Sequence, residues 1–210
     1  MTVALVSCDK DGVVDGEATP HGFKNPETGI EYVECTPKGL YAVNKGDDFI
    51  TVGADIYSTV LHEDSERFLC IEDSGELLLY RALDVKEPNV SEFKPIAAQV
   101  YSSTNTTLIT YFYADNKYLP DDKKEHNPSE DSALCELIAK HLTEGEAVTI
   151  NATYDTITDQ YFIRLLSQDY PGLYYLVAFY GFEGRYYLVD RATNKTVLCP
   201  YDVIVRMVGE

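Results

Sequence analysis

Four carboxylates near the start of the chain have the side-chain type and the spacing to hold a cation. Asp9, Asp11, Asp15 and Glu17 lie close together in the sequence, and carboxylate oxygens are ligands that Ca²⁺ and Mg²⁺ prefer. The spacing does not match the calcium-binding loop of EF-hand proteins, which needs further oxygen ligands at fixed positions and a closing Glu. Alternatively, the stretch forms only a turn, in which Gly12 adopts a left-handed backbone conformation.

The same stretch resembles the first motif of the haloacid dehalogenase phosphotransferases. An apolar run, residues 3–7, precedes Asp9-Lys10-Asp11-Gly12-Val13-Val14, which has the pattern D-x-D-G-V-V. The resemblance implies a Mg²⁺-dependent phosphohydrolase in which Asp9 is the phosphoryl acceptor and Asp11 the acid or base. The doubly wound fold of that family needs helices between its strands, whereas residues 17–120 contain no amphipathic helix. The phosphohydrolase is therefore an alternative hypothesis.

The other residues that often perform chemistry are dispersed along the chain. The four His residues lack the paired ligands that zinc requires. The five Cys residues are widely spaced and form no C-x-x-C pair, which argues against a disulfide framework and predicts buried thiols. The sequence contains no nucleophile elbow, zinc-protease motif or phosphate-cradling glycine loop. We therefore predict a non-enzymatic protein with no metal site and no cofactor.

The charge of the chain is strongly negative, with 35 Asp and Glu against 17 Lys and Arg and a net charge of -18. Such a charge repels nucleic-acid phosphates and anionic membranes, so we predict no direct binding to either. The acids are densest between residues 63 and 76, where Arg67 is the one basic residue. Tyrosine, present 17 times, is enriched at protein interfaces. The predicted contact residues are Glu63, Asp64, Glu66, Glu72, Asp73, Glu76, Tyr174 and Tyr186.

Short apolar runs separated by turn residues predict a fold that is rich in β-strands. Residues 67–80 form a predicted hairpin, because Gly75 can take the positive φ that its loop needs. A second hairpin loop is predicted at residues 181–184, before which residues 173–180 are apolar throughout and form a predicted central strand. Residues 148–153 and 203–208 are also predicted strands.

One amphipathic helix is predicted near residues 128–144. Asn127 is a suitable N-cap, and Pro128 suits the first helical position. Leu134, Leu137 and Ile138 begin an apolar stripe with helical spacing. We therefore predict an α+β chain, predominantly antiparallel β, arranged as a meander, a small barrel or a sandwich with this one main helix.

We expect three regions along the chain. Residues 1–114 form an N-terminal β-rich region, residues 115–131 an acidic linker or exposed loop, and residues 132–210 the helix with a C-terminal β-meander. Whether the two β regions share one core is left open. The first residues lack the basic segment of a signal peptide, and the longest apolar run is too short to cross a bilayer, so we expect a cytoplasmic protein.

The hypothesis that fits these observations is an acidic interaction module that binds a basic partner protein. Electrostatic complementarity would speed the encounter and make it sensitive to salt. Such a module would act as an inhibitor or as a nucleic-acid mimic of the viral or phage type. Two alternatives stay open, namely a structural or assembly subunit of a larger particle, for which a homo-oligomer is expected, and the phosphohydrolase that uses Asp9 and Asp11.

Overall fold

The structure is a computed structural model that describes residues 14–35, 39–45, 48–51, 55–59, 67–112, 128–151 and 153–208. Among the residues that the structure describes, the strands are mostly antiparallel and contain many more residues than the helices do, which confirms the predicted β-rich α+β class. The strands are β1 (Val14–Asp15), β2 (Glu17–Thr19), β3 (Gly22–Lys24), β4 (Glu31–Glu34), β5 (Leu40–Ala42), β6 (Asp48–Thr51), β7 (Asp55–Ser58), β8 (Phe68–Asp73), β9 (Glu76–Ala82), β10 (Ala97–Tyr101), β11 (Leu108–Phe112), β12 (Ile157–Leu166), β13 (Leu173–Phe182), β14 (Arg185–Asp190) and β15 (Thr196–Leu198). The helices are α1 (Val90–Phe93), α2 (Pro128–Glu144) and α3 (Tyr201–Val208), with a 3₁₀ turn at Tyr154–Thr156.

The chain divides into two compact units. The first consists of Met1–Thr36 and Ala42–Glu87, and the second of Pro37–Tyr41 and Pro88–Glu210. Strands β10 and β11 lie within the predicted N-terminal β-rich region, residues 1–114, but they belong to the second unit. They do so because β10 pairs with β12, with Ala98 opposite Leu165.

The first unit is built on one sheet with the strand order β1-β6-β7-β8-β9-β4-β3-β2. Strands β1 and β6 run parallel, and the other neighbours along this order are antiparallel. Its core contains Phe23, Tyr32, Ile56, Leu69 and Ala82. The rings of Phe23 and Tyr32 are stacked with centroids 5.0 Å apart. This contact packs the paired strands β3 and β4 together on the core side of the sheet.

The predicted hairpin at residues 67–80 is confirmed as β8 and β9. Asp73 pairs with Glu76, so the connecting loop contains just Ser74 and Gly75. Both loop residues have positive φ, 52° and 87°, as a type I′ turn requires. The second hairpin is also confirmed, but its loop is shorter than the predicted residues 181–184, because Gly181 and Phe182 pair with β14 as part of β13. Glu183 and Gly184 alone connect the two strands, with φ of 50° and 70°.

The second unit contains an antiparallel sheet with the order β11-β10-β12-β13-β14-β15, in which β12 to β15 form the predicted meander. Strand β13 lies between β12 and β14, and residues 173–179 are all buried, which confirms its prediction as a central strand. Along β13, Val177 is the first residue that pairs with β14, where it lies opposite Asp190. Strand β5 also pairs with β13, and the amide of Leu176 donates to the carbonyl of Gly39 at 2.6 Å.

Helix α2 confirms the one main helix that the sequence predicts. Its buried side chains are Asp131, Cys135, Ile138, Ala139 and Leu142, which repeat with helical spacing. Helix α1 was not predicted; Asn89 caps it, accepting from the amides of Ser91 and Glu92, while Glu92 accepts from the amide of Asn89.

Two predicted strands are wrong. Residues 203–208 belong to helix α3, which starts after Pro200, whose carbonyl accepts from the amides of Val203 and Ile204. The β-branched residues there favour a strand, but burial of Val203 and an ion pair from Arg206 to Asp131 stabilise the helix. Residues 148–151 form no strand, although the amide of Val148 donates to the carbonyl of Thr196 at 2.9 Å.

Candidate interaction surface

The end of the β8–β9 hairpin carries three of the predicted contact residues. Glu72, Asp73 and Glu76 are all exposed. Asp73 and Glu76 are directly opposite each other, so the tight turn holds two carboxylates side by side on the same face of the sheet. The hydroxyl of Ser74 donates to Asp73 Oδ1 at 3.1 Å.

Glu72 lies on the other face of the hairpin, because side chains alternate along a strand. Its Oε2 is 2.6 Å from the Nζ of Lys45, and the same ammonium group lies 4.7 Å from the centre of the Tyr57 ring. Because Glu72 accepts this hydrogen bond, the pKa of Lys45 lies above its usual value. Glu72 is thus paired with a cation of its own unit, whereas Asp73 and Glu76 are an exposed pair of like charges.

Tyr174 is not an exposed contact residue, since it is 8% exposed. Its ring stacks on that of Tyr41 with centroids 5.3 Å apart, and the guanidinium carbon of Arg164 lies 4.7 Å from the centre of the Tyr174 ring. The ring of Tyr101 is 3.9 Å from the same guanidinium carbon. Burial raises the pKa of Tyr174, and the Arg164 charge opposes part of that shift.

The four side chains Tyr41, Tyr174, Arg164 and Tyr101 form what we call the Arg164 stack. Arg164 is fixed by Asn105, since its Nε donates to Asn105 Oδ1 at 3.1 Å and its Nη2 to the Asn105 carbonyl at 2.9 Å. The sequence did not identify this stack, because its members come from the four strands β5, β10, β12 and β13. Only the pairing register brings them together.

Tyr186 lies on the opposite face of the sheet from Tyr174. It pairs with Gly181, and Gly181 is an odd number of residues from Tyr174 along β13, so their side chains point in opposite directions. The Tyr186 ring stacks on Phe179 at 5.3 Å, and its hydroxyl donates to Asp159 at 3.4 Å. The structure therefore does not bring Tyr174 and Tyr186 together on one surface.

Asp190 is a buried carboxylate, 4% exposed, with three hydrogen-bond donors around it. It accepts hydrogen bonds from the hydroxyl of Tyr175 at 2.9 Å, the amide of Ala192 at 2.8 Å and the hydroxyl of Thr193 at 2.8 Å. Burial and the nearby carboxylate raise the pKa of Tyr175. All three donors belong to the strand ends and the loop around Asp190, so this carboxylate closes the loop after β14.

The described cysteines are buried free thiols, as predicted: Cys35, Cys70, Cys135 and Cys199. Burial raises the pKa of Cys70 to about 11, and burial together with Glu87 raises the pKa of Cys35 to about 12. Because the thiolate is the reactive form, these residues are poor nucleophiles at neutral pH.

The remaining predicted site residues, Asp9, Asp11, Glu63, Asp64 and Glu66, lie outside the described residues. Among the residues that the structure describes, no three His, Cys, Asp or Glu side chains are grouped so that they can hold a metal ion. In the same part of the chain, every helix is too short or too polar to cross a membrane. Comparison with family models, curated proteins and solved structures found no match to this chain.

Proposed function

We propose that this protein is a non-enzymatic interaction module whose first unit binds a basic partner protein. The observation that carries the proposal is the exposed pair of like charges, Asp73 and Glu76, at the end of the β8–β9 hairpin. Like charges directly opposite each other in a sheet lower stability. Local features that lower stability are expected where a protein has a binding function.

The distribution of charge between the two units supports this proposal. The first unit contains 18 acidic and 6 basic residues, a net charge of -12. The second, larger unit contains 17 acidic and 11 basic residues, a net charge of -6. The negative field is therefore concentrated on the unit that carries the hairpin, where it would attract a cationic surface and speed association.

The finer form of the proposal is that the partner binds nucleic acid and that this protein competes for the same surface. A basic surface that accepts phosphates also attracts a dense group of carboxylates. Competition between this protein and DNA for one basic partner would support this form. Simultaneous binding of both to that partner would contradict it.

The experiment is a titration of fluorescein-labelled oligolysine with the full chain, followed by fluorescence anisotropy. We expect binding that weakens as salt rises from about 0.05 to 0.3 M, because the Debye length shortens. Asp73→Asn with Glu76→Gln should weaken binding by at least about threefold at the lower salt concentration. The matched control is Glu146→Gln with Glu183→Gln, which removes the same charge from exposed positions of the second unit. Equal loss in both double variants would show that net charge alone attracts the probe and would overturn the proposed site.

A second candidate function, an assembly subunit, is favoured by strand β11. In the described part of the chain β11 is the last strand of its sheet, and its adjacent residues Leu108 and Ile109 are 45% and 54% exposed. Uncharged exposed edges of this kind favour pairing with another chain. Light scattering across a range of concentrations tests it: Ile109→Lys should abolish any oligomer, and a monomer at every concentration contradicts this candidate.

A further inference from the structure

Helix α3, Tyr201–Val208, is short and has a composition that disfavours a helix. Its eight residues are fewer than the about 12–15 that an isolated helix needs to be even marginally stable in water. Half of its residues are β-branched, a side-chain type that lowers helix propensity, namely Val203, Ile204, Val205 and Val208. The helical state of this segment therefore depends on its contacts with the rest of the second unit.

These contacts lie on one side of α3. Val203 is 1% exposed, whereas residues 204–208 are half-buried and Tyr201 is 69% exposed. Arg206 is three positions after Val203 and so lies on the same side of the helix. Its Nη2 is 3.1 Å from Oδ1 of Asp131 on α2. A helix that buries so little of its apolar surface gains little free energy when it docks.

Packing between α2 and α3 is incomplete. A groove of about 790 Å³ separates parts of the two helices, and it is lined by Leu134 and Leu137 on α2 and by Tyr201 and Val205 on α3. Side chains without close neighbours lose the dispersion energy that a packed core supplies. These apolar residues therefore hold the two helices together only weakly, and release of α3 would make Leu134 and Leu137 more accessible to solvent.

Pro200 marks the boundary between chain that is fixed to the sheet and chain that is not. The amide of Cys199 donates to the carbonyl of Tyr186 on β14 at 2.9 Å. The carbonyl of Pro200 instead accepts from the amides of Val203 and Ile204 at 3.1 Å, so it begins the hydrogen bonding of the helix itself. Among the described residues, no backbone hydrogen bond joins residues 201–208 to a strand. Helix α3 can therefore detach without breaking the sheet.

We propose that α3 is a releasable helix, which detaches from α2 after Pro200 while the sheet and α2 stay folded. Local opening of this kind costs least where few side chains are buried. In the released state Leu134 and Leu137 are uncovered, so the docking of α3 regulates how much apolar surface α2 presents. The inference goes beyond the proposed function, because it concerns the other unit and requires no basic partner.

The first test is amide hydrogen exchange of the full chain under native conditions. Amides of residues 205–208 should exchange at least about a hundredfold faster than those of residues 177–179 on the central strand β13. The exchange rate of residues 205–208 should also rise less steeply with urea, because local opening exposes less surface than global unfolding. Equal protection of the two segments, or an equal dependence on urea, would overturn the proposal.

A change at the attachment of α3 should accelerate its release. Arg206→Gln removes this cation from Asp131, whose side chain is 4% exposed. Release then becomes more favourable, because water can solvate the carboxylate once α3 has left. Exchange of residues 205–208 should become at least about tenfold faster. The matched control Arg185→Gln removes the same charge from an exposed position of β14 and should change this rate by less than about twofold. Equal rates in the two variants would overturn the proposal.

A change in the sheet distinguishes local release from unfolding of the whole unit. Ile163→Val removes one buried methyl group from β12, where Ile163 is 0% exposed. Exchange of residues 177–179 should become about fivefold faster. Exchange of residues 205–208 should change by less than about twofold, because the docked and released states both keep the sheet and are destabilised equally. Equal acceleration of both segments would show that α3 opens only with the sheet and would overturn the proposal.

A variant that cannot dock α3 tests the uncovering of α2. Val203→Asp would bury a charge in the docked state, so α3 should be released in most molecules while residues 177–179 remain protected. The neutral dye Nile red should then fluoresce more strongly than with Leu198→Asp, which adds the same charge at an exposed position of β15, because apolar surface at Leu134 and Leu137 is accessible. Equal fluorescence of the two variants, or loss of protection at residues 177–179, would overturn the proposal.

Discussion

The guanidinium carbon of Arg164 lies 3.9 Å from the centre of the Tyr101 ring. Tyr174 covers the guanidinium group as well, at 4.7 Å, and Asn105 accepts two of its hydrogen bonds. A cation on strand β12 is thereby enclosed by aromatic rings from strands on either side. This geometry needs the planar group of arginine, because a lysine cannot stack on a ring and donate in this fork at the same time.

Arg164→Lys should therefore destabilise the second unit. The loss of stacking and of the hydrogen bonds to Asn105 should lower the free energy of unfolding by about 1–2 kcal/mol. Urea denaturation followed by tyrosine fluorescence measures this change. The control is Arg185→Lys, an exposed position on β14, which should change stability by less than about 0.5 kcal/mol. Equal effects at the two positions would contradict the structural role of the Arg164 stack.

Glu76→Lys should stabilise the protein while it weakens binding to a basic partner. It replaces two like charges with an opposite pair at the end of the β8–β9 hairpin, which should raise the free energy of unfolding by about 0.5 kcal/mol. Thermal denaturation and the oligolysine titration measure the two effects. Glu183→Lys, in the other type I′ hairpin, changes the net charge equally without a facing acid on the partner strand. A Glu76→Lys variant that is less stable than the wild type would refute the repulsion between Asp73 and Glu76.

Gly22 and Gly75 are both required, for different physical reasons. A Cβ at Gly22 would overlap the backbone carbonyl oxygen of Tyr32, so Gly22→Ala should cost more than about 2 kcal/mol by forcing β3 and β4 apart. Gly75 has open space around it but a φ of 87°, so Gly75→Ala should cost about 1 kcal/mol. Gly75→Asn should cost less than Gly75→Ala, because Asn tolerates positive φ better. Chemical denaturation of the three variants tests this order.

Buried thiols should make the first unit less stable at alkaline pH. The pKa of Cys70 is raised to about 11 and that of Cys35 to about 12, whereas an unfolded thiol has a pKa of about 8.5. The unfolded chain therefore releases these protons first, and its free energy falls relative to the folded state as pH rises above about 8.5. Each thiol should lower the free energy of unfolding by up to about 1.4 kcal/mol per pH unit until its folded pKa is reached. Below about pH 8 these thiols should not change the free energy of unfolding as the pH varies, because they are protonated in both states.

Urea denaturation in reductant at several values between about pH 8 and pH 10 measures the slope. Cys70→Ala should flatten it, although the variant is less stable at every pH because side-chain contacts are lost. A variant with the same slope as the wild type would show that Cys70 ionises equally in both states. Cys35→Ala provides the independent repeat within the same unit.

The sequence predicted those elements whose signals are local. Gly75 and Gly184 mark their hairpins, and the stripe that begins at Leu134 marks α2. The acidic end of the first hairpin was also predicted, because charge density can be read directly from the sequence. Helix α3 was missed because its β-branched residues favour a strand by propensity, and the packing of Val203 and Arg206 overrides that preference.

The placement of the tyrosines was not predictable without the sheet register. Tyr174 and Tyr186 both looked suitable for a surface contact, yet one is enclosed by the Arg164 stack and the other stacks on Phe179. Which face a strand residue occupies changes with a single-residue shift in register. The partners of Tyr174 come from residues 41, 101 and 164, and no local pattern connects positions so far apart in the sequence.

The position of strand β5 limits where the polypeptide can be cut into two fragments that each fold. Because Pro37–Tyr41 belongs to the second unit, the polypeptide passes from one unit to the other three times. A break after Glu87 would leave Leu40 on the first fragment and deprive Leu176 of the Gly39 carbonyl that accepts from its amide. Neither fragment would be a self-sufficient domain. Exchange of one unit by recombination would have to preserve all three crossings.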